Sequence, residues 1–331
     1  MTASTELSAR ALARRERTPD FFIVGHPKCG TTALYEMLRA HPQIYMPELK
    51  EPWFLASDMR PRFQPPRSAP PLETLEEYLA LFAEADPQQR AGEASSSYLL
   101  SHTAAGEIAQ LCPDARIIAI LREPASFLRS LHMQLLRTHV ESEKDLRRAI
   151  ALDAPRRAGK KVPRRSHRPQ LLYYSDHVRY VEQLERYRAV LPAEQLLVLI
   201  YDDFRLDNEG TVRSVLRFLG VDDGVAIAPR QANPTRQRMR SQIVDEVVNM
   251  VSVGRGLPAR AVKAVIKAIT TDELRSGALR VTRRHVIHGE PDPADERVMR
   301  ELRVRFKDEV VALSEYLGRD LVTLWGYDDG D

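Results

Sequence analysis

Cysteine is scarce in this chain of 331 residues: only Cys29 and Cys112. Two thiols exclude a scaffold built on disulfides and fit a reducing compartment. No Cys/His cluster has the spacing of zinc ligands, and no D-x-D-x-D-G loop suits calcium, so no metal is expected. Charge of one sign is not in excess either. Lys and Arg number 49 against 46 Asp and Glu, a net charge of +3, which is too small for a nucleic-acid-binding reading. The first 20 residues are polar and Arg-rich with no apolar core, which reads as neither a signal peptide nor an anchor. Repeats and low-complexity tracts are absent. The Arg- and Ala-rich composition without an anchor suggests a bacterial, cytoplasmic protein.

What is present is an ordinary globular composition, 43% hydrophobic and 29% charged, long enough for a large core. Short apolar runs predict strands at 21–25, 91–95, 116–121 and 195–201, alternating with helices. That alternation implies an α/β domain with a central parallel sheet flanked by helices. The second half reads as helical, at 176–190, 208–219, 241–252, 258–270 and 294–317. The expected organisation is a flexible tail over 1–19 and a single domain over 20–327. The stretch Leu72–Ala85 reads as a helix whose Tyr78 and Phe82 serve the core or wall a ligand cleft.

The segment Phe21 to Thr32, FFIVGHPKCGTT, carries most information. Phe21–Val24 form a buried strand, Gly25 to Gly30 a glycine-bounded turn, and Thr31 and Thr32 open an amphipathic helix. Unpaired N–H groups of a first helical turn, with the helix dipole behind them, hold a phosphate. The nucleotide-triphosphate loop G-x-x-x-x-G-K-[ST] has its lysine after the second glycine. Here that position is Thr31, and the cation has moved inside the loop to Lys28. Such a loop suits a terminal 5′-phosphate with no evident need for magnesium.

GHPKCGTTAL resembles the 5′-phosphosulfate loop of sulfotransferases that use 3′-phosphoadenosine 5′-phosphosulfate (PAPS), whose usual form is close to G-x-P-K-[SCT]-G-T-T-x-L. The resemblance implies that Lys28 neutralises the 5′-phosphate as the S–O bond breaks. Cys29, Gly30, Thr31 and Thr32 line the same phosphate. It further implies that Arg122, at the end of the strand RIIAIL, and Ser130, eight residues on, bind the 3′-phosphate of the cofactor. The loop Asn233-Pro234-Thr235-Arg236-Gln237-Arg238 loosely resembles the family's N-x-[ST]-x-x-x-R segment, with Arg238 or Arg236 closing over the nucleotide. The likeness extends through Ser175–Phe204 and Leu317–Leu321.

The segment Leu49-Lys50-Glu51-Pro52-Trp53-Phe54 resembles the K-E-x-x-F-F element of the heparan-type and bacterial branch. There the glutamate is the base, which implies Glu51 as base and Lys50 as its catalytic neighbour. Aryl and steroid members use a histidine from another strand, and the comparable stretch here, Gly92–Tyr98, has none. His26, His102 and His132 stand as rivals, and Ser95 and Ser97 as possible contacts of nucleotide or acceptor. The implied reaction moves a sulfuryl group from PAPS to a hydroxyl, or less readily an amine, releasing adenosine 3′,5′-bisphosphate. The acceptor is a small molecule, glycan or lipid, in the setting of natural-product or glycan synthesis.

One stretch stands apart. Residues 155–169, PRRAGKKVPRRSHRP, hold seven Lys/Arg, one His and no acid. The plain expectation is a solvated mobile loop; the alternatives are a basic lid for an anionic acceptor or a membrane-surface contact. A small-molecule kinase using ATP and Mg²⁺, and a nucleotide-binding protein without catalysis, remain the competing readings. No K-x-x-x-T-V-x-x-x-E dimer motif is apparent, so the oligomeric state stays open.

Overall fold

The computed structural model describes residues 17–61, 71–228 and 295–328, with the backbone of two short strands at 238–239 and 288–289. Five strands, β1 (Phe21–Gly25), β2 (Ile44–Tyr45), β3 (Arg90–Ala94), β4 (Arg116–Leu121) and β5 (Leu196–Ile200), form one sheet in the order β2-β3-β1-β4-β5. All its pairings are parallel. A parallel sheet covered on both faces needs unbroken apolar strands, and β1 (FFIVG) and β4 (RIIAIL) at its centre are almost wholly buried.

The chain leaves β1 for β3 and β2 on one side, then returns to place β4 on the other. Strand order therefore reverses between β1 and β4. In open parallel sheets the crevice at such a point, beyond the strands' C-terminal ends, is where ligands bind. Helix α1 (Thr31–Arg39) follows β1, α2 (Leu75–Ala80) and α3 (Ala104–Leu111) flank β3, and α4 (Pro124–Arg137) follows β4. Then come α5 (Leu146–Ala151), α6 (Asp153–Arg157), α7 (Tyr180–Arg188), α8 (Tyr201–Leu206) and α9 (Asn208–Leu219). Helices α10 (Glu296–Arg305), α11 (Lys307–Leu317) and α12 (Leu321–Trp325) follow later in the chain.

The chain divides into two compact units, Met1–Asn233 with Glu296–Asp331, and Pro234–Asp295. In the second, Arg238–Met239 pairs antiparallel with His288–Gly289. Arg236 and the helices expected at 241–252 and 258–270 lie outside the described residues.

The four expected strands form within a residue of their anticipated ends; β2 is too short to leave a pattern. Three helical expectations need correction. The helix expected over 294–317 divides at Phe306, a buried residue whose φ of −108° and ψ of 15° leave the helical range. The one expected from 176 starts at Tyr180, because Tyr174–Val178 is a 3-10 turn. In Leu72–Ala85 only Leu75–Ala80 is α-helical. It opens on a capping box in which Thr74 and Glu77 satisfy each other's backbone N–H groups. Tyr78 and Phe82 are fully buried there and belong to the core.

The basic segment also departs from expectation. Arg156 is among the most buried side chains of the protein, and its guanidinium donates to Glu141 Oε1 at 2.8 Å. Tyr174 Oη donates to the other oxygen of Glu141 at 3.1 Å. An unpaired buried charge is costly, so this pair pins one end of the stretch. Only Lys160, Lys161, Arg164 and Arg165, with Arg157, remain on the exposed side.

Candidate active site

The loop after β1 opens with His26 N–H donating to Ile120 O of β4 at 2.9 Å, which fixes it at the sheet's C-terminal edge. Lys28 has φ 67° and Gly30 φ 86°. The left-handed value at Gly30 asks for glycine, and a Cβ there would also come within 2.9 Å of the Phe204 ring. Lysine in the same region costs about 1–3 kcal/mol, a strain found where a side chain must be aimed. Gly30 caps α1 without any side-chain acceptor, and no acid stands in the first turn. The N–H groups there face the loop with the positive end of the helix dipole.

Arg122 leaves the end of β4 and donates from Nη1 to Lys28 O at 3.1 Å, while its guanidinium lies 4.8 Å from the Tyr201 ring centroid. Neither Lys28 nor Arg122 has an ion-pair partner among the described residues. Burial, then the charges of Arg137 and Arg122, pull the Lys28 ammonium below its ordinary value. Cations crowded without counter-charge at a helix N-terminus form a site for a polyanion. Ser130 lies buried on α4, about two turns from its start. Thr31 is buried and Thr32 half-buried on α1.

Cys29 is different. Its thiol is fully buried and pushed up to about 12 by that burial, and its own N–H donates to His26 O at 3.3 Å. Its side chain is a packing group.

Across β1, the end of β3 holds the second half of the site. Glu51 N–H donates to Ala94 O at 3.0 Å, docking the segment on β3. Four donors converge on the Glu51 carboxylate. Lys50 Nζ and Ser96 Oγ reach Oε1 at 2.9 and 2.7 Å; Trp53 Nε1 and Ser96 N–H reach Oε2, both at 2.9 Å. Glu51 and Trp53 both adopt left-handed backbone, φ 61° and 59°. Ser95 Oγ accepts from Trp53 N–H at 3.2 Å. Sequence reasoning named Ser95 and Ser97 and passed over Ser96, which lies just past the end of β3, where strand alternation no longer says which way a side chain points.

Two more residues escaped the sequence. Glu93, fully buried in β3, accepts from Tyr78 Oη at 2.6 Å and Tyr98 Oη at 3.1 Å, and burial pushes its carboxyl up to about 7. Glu123 caps α4 by accepting from Ala125 and Ser126 N–H at 2.9 and 2.6 Å, and from Tyr327 Oη at 2.6 Å. It thereby rigidifies the turn after Arg122.

The histidines are accounted for otherwise. His26 is fully buried, with Nε2 2.7 Å from Gln183 Oε1, and burial lowers it to about 3. His132 lies 2.8 Å from Tyr174 Oη through Nδ1 and is also lowered by burial. His102 donates its backbone N–H to Asp58 Oδ2 at 2.8 Å.

A loop with an internal lysine at a helix N-terminus, an arginine at the next strand end and a strapped glutamate thus stand at the C-terminal edge of one parallel sheet. The family model described as the sulfotransferase family matches residues 19–224, and the chain belongs to that family. Human carbohydrate sulfotransferase 15 is 42% identical over 83 residues, a match spanning 24% of this chain and 14% of the human protein. The rat protein of that name is 56% identical over 34 residues, spanning 10% and 6%. A sulfotransferase from Alicyclobacillus acidocaldarius shares the fold, with a TM-score of 0.58 and 28% identity. That alignment covers 78% of this chain and 99% of the other.

Proposed function

We propose that the chain transfers a sulfuryl group from PAPS to an acceptor hydroxyl, or less readily an amine, releasing adenosine 3′,5′-bisphosphate. The observation that carries this is the pairing of two unlike half-sites at adjacent strand ends. One is a cationic cradle with no ion-pair partner among the described residues, around Lys28 and Arg122; the other is a carboxylate held by four donors, Glu51. PAPS supplies the activated sulfuryl group and three anionic groups, two phosphates and a sulfate, for the cradle to neutralise. Lys28 and the uncapped N–H groups of Gly30, Thr31 and Thr32 hold the 5′ end, and Arg122 with Ser130 holds the 3′-phosphate. Sulfuryl transfer resembles phosphoryl transfer, where positioning and charge stabilisation supply most of the rate.

Glu51 takes the acceptor's proton. A carboxylate offers about four lone-pair sites, and all four here are occupied. An incoming hydroxyl must displace a donor, and the ammonium of Lys50, a flexible side chain, leaves most readily. Released, Lys50 is a mobile positive charge beside the reacting centre. Ser96 N–H and Trp53 Nε1 keep the carboxylate aimed meanwhile. Buried Cys29 and Cys112, both free thiols, fit work in a reducing cytoplasm. Arg236 and Arg238 belong to the proposal through resemblance alone, as does the catalytic extent of 20–327.

The test is transfer of ³⁵S from labelled PAPS to a broad panel of alcohols, phenols and glycosides, without added metal. Labelled product that separates from PAPS and free sulfate is expected with at least one acceptor and none with Lys28→Ala. Phosphate transfer from ATP–Mg²⁺ to the same panel, without sulfate transfer, would favour the kinase.

A further inference from the structure

The basic segment ends beside Trp53 and Glu51. The guanidinium of Arg168 lies 4.0 Å from the centroid of the Trp53 ring, and Trp53 Nε1 donates to Glu51. Arg168 Nε donates to Met59 O at 2.9 Å, and Gln170 Nε2 to Asp58 O at 2.9 Å. These bonds tie the segment to the 51–59 stretch that carries the glutamate. Arg168 is half-buried and has no carboxylate within ion-pairing distance among the described residues. Burial accordingly lowers it to about 10, with only the more distant charge of Glu51 opposing.

An arginine kept partly dry with no counter-ion is costly unless something anionic meets it. Stacking on Trp53 fixes the plane of the guanidinium; with Nε on Met59 O and Nη1 3.1 Å from His167 Nε2, Nη2 is left to donate to a carboxylate or a sulfate or phosphate ester. Upstream of it Lys160, Lys161, Arg164 and Arg165 are all exposed. They add long-range attraction of the same sign.

Resting on the sulfotransferase reading above, we infer that the acceptor carries an acidic group, and that Arg168, stacked on Trp53, binds it one indole's width from the base. Arg168 is then a specificity-determining residue of the acceptor side. It has no part in holding the cofactor.

Matched acceptors that differ only in an acid test this: 4-nitrophenyl β-glucuronide against the β-glucoside, and 4-hydroxyphenylacetate against its amide. The ratio of kcat/KM, acid over neutral, is read in wild type, Arg168→Gln and Arg168→Lys. The expected ratio is tenfold or more in wild type, about 1.4 kcal/mol. It collapses in Arg168→Gln, and is partly restored in Arg168→Lys, which keeps the charge and loses the planar group stacked on Trp53. Its loss should appear in KM, and rising salt should shrink it. A ratio near one in wild type overturns the inference, as does an equal fall for both members in Arg168→Gln, which would mark a structural role. So does the failure of all four to be sulfated by an enzyme that sulfates only other, uncharged acceptors. Titration with adenosine 3′,5′-bisphosphate separates the two readings. Absent binding in wild type sinks the sulfotransferase reading itself, whereas binding retained in Arg168→Gln with no acid preference sinks only this one.

Discussion

At the scale of single residues, Glu51 is the side chain on which the proposed proton transfer depends. Replacing it with Gln puts an amide N–H₂ against one of two oxygens' worth of donors, so the substitution both removes the base and disturbs its harness. Turnover in Glu51→Gln is expected to fall by about 10²–10⁴-fold. Affinity for adenosine 3′,5′-bisphosphate should stay within about threefold of wild type, because no cofactor contact is assigned to this side. Single-turnover rates and a bisphosphate titration check the two halves separately. Near-full turnover would remove Glu51 from its role.

The buried titratable groups give a pH dependence. His26 and His177 are lowered to about 3 and about 4 by burial. A histidine so depressed contributes full stability above its ordinary value near 6.5, lost as pH falls toward the folded values. Glu93, raised to about 7, has the opposite sign. Its contribution is present below pH ~4.5 and is lost as pH rises through about 7. Between pH 5 and 6.5 the unfolded chain therefore binds more protons than the folded one, and stability should fall on acidification. Glu93→Gln removes the opposing group. The slope of unfolding free energy against pH should steepen by about one proton, ~1.4 kcal/mol per pH unit. An unchanged slope in denaturant titrations would contradict the buried, protonated state of Glu93.

At the scale of elements, strands and phosphate loop were legible because their signals are local. Four apolar residues before Gly25, and RIIAIL before Arg122, allow few alternatives to a buried parallel strand. The loop's shape was legible for the same reason: the turn from Gly25 to Gly30 and the start of α1 are set within a few residues. Tertiary partners were not. Nothing in PRRAGKKVPRRSHRP says that Arg156 meets Glu141, 15 residues upstream, or that Arg168 stacks on Trp53. Charge runs read as solvated because most are; a single buried counter-charge reverses that locally.

The Glu141–Arg156 pair gives a clear expectation. Arg156→Ala leaves a buried carboxylate with only Tyr174 and backbone donors, and should cost about 3–5 kcal/mol. The double variant Glu141→Leu/Arg156→Met should be less destabilised than Arg156→Ala. Chemical denaturation of the two variants decides it; a double variant at least as unstable as the single would mean that the pair is not buried as described.

At the scale of the whole molecule, the sheet order β2-β3-β1-β4-β5 puts the strand reversal between β1 and β4. Lys28 and Arg122 stand at those two strand ends, and Glu51 docks on neighbouring β3. The three residues thus stand at the place where parallel sheets bind ligands. The sequence could order these strands only through resemblance, since crossover direction and neighbour choice are set by packing over the whole sheet. The cationic cradle is expected to bind a 3′,5′-bisphosphate without metal. Calorimetric titration with adenosine 3′,5′-bisphosphate in chelator, beside ATP with Mg²⁺, in wild type, Lys28→Ala and Arg122→Ala, tests it most directly. Tight one-to-one binding of the bisphosphate, weakened at least about tenfold in either variant, is predicted. Preference for ATP–Mg²⁺, or bisphosphate binding indifferent to both substitutions, would contradict it.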